Sequence, residues 1–347
     1  MLGGSTTRVR WLGALACALA AGGCGRDKPA SYSLLGVEAA NWLSSRGLYA
    51  DIEARRVVDG AIAYTPDFPL WSDGAEKQRW LILPPGTRID TSDMDHWRFP
   101  VGTKAFKEFR LGDVLLETRL LERVADTGEF DLDYRLQTFV WTSDQTDAVL
   151  TVDGVKATNG TEHEVPRQKH CSACHKGEPG AFLGVSAVQL ARSGTAAALA
   201  AAGLLTVDPG RAFPIPGDVT VANAVGVLHA NCGHCHSATG AQPKLRLRFL
   251  TTEIDQPPEA WELYQSTIGR PITEDWLDPP PQFGIRIRPG EPERSAIVYR
   301  MEQRPANGRA VDQMPPLATN KVDRDGAAAV RAWVQRLGQR PPATPLP

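Results

Sequence analysis

Methionine is scarce in this 347-residue chain, where Met1, Met94, Met301 and Met314 are the only four. Strong net charge is missing as well. The formal charge of -2 excludes a polyanion binder held by bulk electrostatics, so no nucleic-acid partner is expected. The early apolar run, Trp11 to Ala21, is too short to span a bilayer as a helix. Material for a disulfide framework is also short. Of six cysteines, Cys17 and Cys24 fall in or just after that run, and the other four occur as two close pairs. What remains is ordinary globular composition, and 42% apolar residues over this length allow about two domains with cores of their own.

Arg8 and Arg10 precede the apolar run, and Ala21, Gly22 and Gly23 lead into Cys24, which is the order of a secretory signal. Residues 1–23 are therefore expected to direct export. A cysteine directly after small residues resembles the lipobox of bacterial lipoproteins, although Ala21 stands where that motif usually has leucine. The resemblance implies acylation of the Cys24 thiol and a membrane contact through that lipid anchor. With Gly25 following in place of aspartate, it implies the periplasmic side of the outer membrane; without acylation the chain is expected free in the periplasm.

The four remaining cysteines form two copies of one pattern, Cys171-Ser-Ala-Cys174-His175 and Cys232-Gly-His-Cys235-His236. Two thiols three positions apart on a helical turn reach the two vinyl groups on one edge of a haem. The next residue then places its imidazole under the iron. The cofactors expected are two haem c groups, with Cys171, Cys174, Cys232 and Cys235 as thioethers and His175 and His236 as iron ligands. A four-thiolate zinc site built from both pairs is the competing reading, and it leaves the histidine after each pair unexplained.

Between Asp51 and Val165 short β-branched and aromatic runs alternate with turn formers: Gln78 to Leu83, Thr103 to Leu111, Val114 to Val124, Tyr134 to Trp141 and Ala148 to Val152. The fold class read from this is α+β multidomain, an N-terminal antiparallel β domain (sandwich or open barrel) followed by a mainly α haem region. The expected divisions are a tether and short helix at 24–50, the β-rich domain at 51–165, a first haem-binding segment at 166–217, a second haem domain at 218–340 and a tail at 341–347. Trp71, Trp80, Trp97 and Trp141 are read as core or sheet-face residues, and Asp90, Asp93 and Asp95 as a solvated loop. In the second half the period changes. Val221, Ala224, Val225 and Leu228 recur at helical spacing and run into Cys232, and Val330, Trp333, Val334 and Leu337 do the same with Asp325 as N-cap. Ala196 to Leu205 is a further alanine-rich helix.

A helix ending in Cys232-Gly-His-Cys235-His236, then Met314-Pro315-Pro316, then a closing helix resembles the class I cytochrome c domain over roughly residues 218–340. The resemblance implies that Met314 is the sixth ligand of the His236 iron. The insert between motif and methionine is longer than in compact members of that family. Leu70-Trp71-Ser72-Asp73-Gly74-Ala75, Phe99-Pro100-Val101-Gly102-Thr103, Glu117-Thr118-Arg119-Leu120 and the paired motifs together resemble uncharacterised dihaem lipoproteins of Gram-negative bacteria.

No methionine lies between Cys174 and Cys232, so the first haem is not a second ordinary class I unit. Its distal position is left to a histidine, to Met94 or Met301, or to nothing; His163 and His229 are the favoured histidines over His96, His170 and His234. Met/His ligation raises a haem's potential and His/His leaves it lower. The leading expectation is periplasmic electron transfer to or from a redox partner protein, with no catalytic residues. A dihaem peroxidase with an open first haem, and a binding or sensor protein working through the β domain, are the alternatives.

Overall fold

The computed structural model describes residues 41–272, 276, 279–306, 308 and 310–339. The expected signal at 1–23, the Cys24 anchor, most of the tether and the tail lie outside the described residues. The described part opens with a 3-10 turn, Leu43–Arg46, and a short ribbon of β1 (Tyr49–Asp51) and β2 (Arg56–Val57). A six-stranded sheet follows, β3 (Ile62–Ala63), β4 (Glu76–Ile82), β5 (Lys104–Leu111), β6 (Val114–Arg123), β7 (Tyr134–Trp141) and β8 (Ala148–Thr151). The strands lie in sequence order and every neighbour is antiparallel. The helix α1 (Phe130–Asp133) sits in the β6–β7 connection.

Five of the six strands match the apolar runs to within two residues, because period-two alternation and the Gly112-Asp113 turn are local signals. Of the expected sandwich or open barrel, the antiparallel sheet is there and a second packed sheet of similar size is not, among the described residues. There is one large open meander, with β3 and β8 left as edges and no closure. A second sheet of similar size is unnecessary because other segments cover both faces. Phe106, Leu120, Phe139 and Trp141 on one face pack under Leu43, Leu48 and Tyr49. Leu81, Trp97, Phe99 and Leu121 pack on the other side against Phe182, Val185, Leu190, Leu199 and Leu205. That core joins residues expected on opposite sides of a boundary at 165.

The helical part contains α2 (Cys171–His175), α3 (Thr195–Ala201), α4 (Val219–Cys232), α5 (Glu262–Thr267), α6 (Ala296–Glu302) and α7 (Arg324–Leu337). Asp218 caps α4 by accepting from the Thr220 amide at 2.9 Å and the Val221 amide at 3.4 Å. The cap of α7 is Asp323, which accepts from the Gly326 amide at 2.9 Å, and not Asp325, which falls inside the first turn. The alanine-rich helix stops at Ala201, short of the expected Leu205. Leu204 and Thr206 leave it to hydrogen-bond with Ile89. Val225 and Leu228 of α4 meet Val330, Trp333 and Val334 of α7 in a core shared with Phe249, Trp261 and Leu263.

Trp97 and Trp141 are buried core residues, as expected, but Trp71 is a tie between segments. Asp95 corrects the reading of a solvated acidic loop, since it accepts from the Thr251 amide and hydroxyl at 2.9 Å each and fastens the loop to the helical part. Asp90 and Asp93 do cap their own turns, to Ser92 and to Asp95.

Candidate functional site

Each Cys-x-x-Cys-His pentapeptide is wound helically and forms a cavity wall. The first is the whole of α2. The second starts on the last residue of α4, and the Cys235 and His236 amides donate back to the Cys232 carbonyl at 3.1 and 2.9 Å. Positions i, i+3 and i+4 share one face of a helix, so both thiols and the imidazole of each motif are set on the same side.

The first cavity, about 830 Å3 with its mouth, lies between α2 and the sheet. Cys171, Cys174 and His175 face Ala105, Lys107, Arg119, Leu121, Leu136 and Thr138 across it, with Phe182 and Leu317 at the sides. The second, about 1170 Å3 with its mouth, is lined by Cys232, Cys235, His236, Leu245, Leu247, Ile297, Met301 and the run Met314 to Leu317. The expected pairing of Met314 with His236 thus has both residues on one cavity.

His175 Nδ1 lies 2.6 Å from the Ala181 carbonyl oxygen and donates to it. That bond fixes the tautomer and leaves Nε2 as the free base, the arrangement an imidazole needs to bind a metal. Burial pushes its pKa down to about 3, so the ring is neutral, the ligating form. Burial also brings His236 down to about 4, and its Nδ1 is buried with no partner among the described residues. These features fit iron porphyrin at both motifs. They fit a shared zinc poorly. Among the described residues no three His, Cys, Asp or Glu side chains gather as a metal site.

The two motifs, well separated in sequence, abut in space. Cys235 Sγ is 3.4 Å from the Ala173 carbonyl, and Thr239 Oγ1 donates to the Gly177 carbonyl at 2.7 Å. Gly177 has no room for a side chain, since a Cβ there would stand 2.6 Å from the His234 carbonyl. Cys174 and Leu317 line both cavities.

The favoured distal histidines are placed elsewhere. His163 Nε2 is 2.8 Å from buried Glu117, which also takes Arg119 in a bidentate pair at 2.7 and 2.8 Å. His229 is buried in α4, where its Nδ1 accepts from the Phe249 amide at 3.2 Å. Neither ring lines the cavity of His175, because the sheet register and the α4 face commit them to structural bonds. Met94 packs in the core under the sheet, and Met301 lines the other cavity. His96 joins Glu178 at 3.1 Å and Arg248 at 3.1 Å. Burial opposes the charge of Glu178, but the Arg248 guanidinium and His96 hold it down at about 2. His234 lies beside this cluster. His170 does line the first cavity, next to Cys171.

Several working residues were given no role at the site by the sequence. Trp71 donates its amide to Asn231 Oδ1 at 2.6 Å, one residue before Cys232, and its Nε1 to the Lys321 carbonyl at 3.0 Å. Asp73 accepts from the Asn320 and Lys321 amides. The Leu70 to Ala75 stretch therefore fastens the loop that follows Met314-Pro315-Pro316. Its dense mix of Trp, Asp and Gly was the available signal, but no local pattern names the partner. Lys107 and Arg119 become cavity residues through strand register alone.

Among the described residues no helix is long and apolar enough to cross a membrane. No family model, no curated protein and no solved structure matches this chain.

Proposed function

We propose that this chain is an exported dihaem c-type cytochrome that carries electrons to or from a periplasmic redox partner. The observation that supports it most is the contact between the two motifs, with Cys174 on the wall of both cavities. Electron tunnelling falls steeply with distance, and thioether-bonded haems at adjoining walls would be near neighbours. One would carry the His236 and Met314 pair, which gives it the higher potential. When bound, each haem supplies a one-electron Fe(III)/Fe(II) couple. The chain's own residues orient the His175 imidazole, exclude water with apolar walls and hold the Met314 loop through Asp73. Acylation at Cys24 and attachment to the outer membrane belong to the same reading, through the lipobox resemblance.

The test is expression of the full chain in cells competent in cytochrome maturation. A pyridine haemochrome assay should count two covalent haems, and a potentiometric titration should resolve two one-electron waves. Colourless protein would refute the reading. Rapid turnover of peroxide by the pure protein would replace it with the peroxidase.

A further inference from the structure

Lys107 is a polar residue on the first cavity for which electron transfer requires no role. Antiparallel register sets Arg79 opposite Lys107, Lys107 opposite Arg119, and Arg119 opposite Thr138. Residues directly opposite share a face of the sheet, so three cations stand in one row. One rung away on the same face are Leu81, Ala105, Leu121 and Leu136. Like charges placed directly opposite are destabilising. Arg119 is answered by the bidentate Glu117, whereas Lys107, in the middle of the row, makes no hydrogen bond or ion pair with any described residue. Its side chain lines the cavity whose other wall carries His175.

We propose that the Lys107 amine is the sixth ligand of the iron held at Cys171–His175, with the His175 imidazole on the helix side and Lys107 on the sheet side. The inference rests on the dihaem reading and deepens it. An alkylamine ligates through its lone pair, so the ammonium must first lose a proton. Burial, with Arg79, Arg119 and Lys77 close by, lowers its pKa and favours that loss. Ligation replaces an N–H bond with an N–Fe bond, the proton leaves to solvent, and the iron keeps its oxidation state.

The other groups on the cavity are poorer ligands. Arg119 has no basic lone pair and is committed to Glu117. Burial raises the Tyr64 phenol to about 12, so it is not a phenolate. His170 directly precedes Cys171 and is tied by backbone to the proximal side. An occupied sixth position also leaves no open iron for peroxide.

The experiment uses the full-length, matured protein and its Lys107→Ala and Lys107→Arg variants. The arginine keeps charge and bulk but cannot ligate. Covalent haem is counted first, and fewer than two in the unaltered protein overturns the dihaem reading together with this one. With two present, near-infrared magnetic circular dichroism and EPR of the ferric protein should show amine/imidazole ligation at one low-spin haem and Met/His at the other. Both variants should lose the amine/imidazole signature and gain a high-spin or water-ligated haem, with the methionine charge-transfer band unchanged. A bis-imidazole or five-coordinate first haem in the unaltered protein overturns the proposal and leaves the dihaem reading intact. Unchanged spectra in the variants do the same. If Lys107→Ala fails to fold, the unaltered spectrum and Lys107→Arg still decide.

Discussion

The carboxylate of Asp73 receives the Asn320 amide at 2.8 and 2.9 Å, across 247 positions of sequence. The turn that leads into β4 thereby holds the loop just after Met314. Asp73→Ala removes these charge-assisted bonds, each worth about 1.5–3 kcal/mol. The variant should melt several degrees lower and lose much of its methionine-to-iron charge-transfer absorbance. Unchanged absorbance with a lowered melting temperature would show that the clamp stabilises the loop without positioning the methionine.

His163 hydrogen-bonds the buried Glu117 carboxylate, which is ion-paired with the partly buried Arg119. Removing one partner from such a set costs about 3–5 kcal/mol, because the remaining charge is left uncompensated in the interior. Glu117→Ala should therefore unfold at markedly lower denaturant than His163→Gln. Neither should alter the axial signature of the first haem beyond small shifts, and the same holds for His229→Gln. Loss of a bis-imidazole spectrum in either histidine variant would restore that residue as a ligand.

His229 and Glu178 are among the groups whose folded pKa lies below the unfolded value and which therefore contribute to acid sensitivity. His229 is driven by burial from 6.5 to about 3. The unfolded chain takes up its proton first, so stability from this group is whole above pH 6.5 and is lost as pH falls toward 3. Glu178, held at about 2 against 4.5, contributes stability that is whole above pH 4.5 and is lost as pH falls toward 2. Denaturant midpoints measured from pH 7 to 3 should fall throughout. A Glu178→Gln variant should lose the steeper part below pH 4.5, and a midpoint independent of pH over this range would contradict the assignment.

Gly177→Ala places a methyl group 2.6 Å from the His234 carbonyl, so the two motif helices must part by several tenths of an ångström or more. Interhaem electron transfer, followed after flash reduction of one haem, should slow while both haems keep their ligands. A variant with unaltered transfer would show that the contact is not part of the electron path.

Local signals carried much of the reading. The two pentapeptides as motifs, the alternating strand from Tyr134 to Trp141 and the helix running into Cys232 were legible because residue spacing, period-two alternation and period-3.6 recurrence are encoded within a few neighbouring residues. The cap of α7 was misplaced by two residues because Asp323 and Asp325 are equivalent as letters and differ only in backbone angles. His163 was indistinguishable from a free imidazole until pairing of the sheet brought Glu117 beside it.

By itself the sequence determined where the two Cys-x-x-Cys-His motifs lie and which stretches become strand or helix, since those depend on residue type and short-range spacing. Tertiary structure alone decided that the sheet stays open, that the two motifs touch and that Lys107 faces His175 across one cavity. These are matters of register and packing between segments distant along the chain, and a one-residue slip of a strand would send Lys107 to the opposite face.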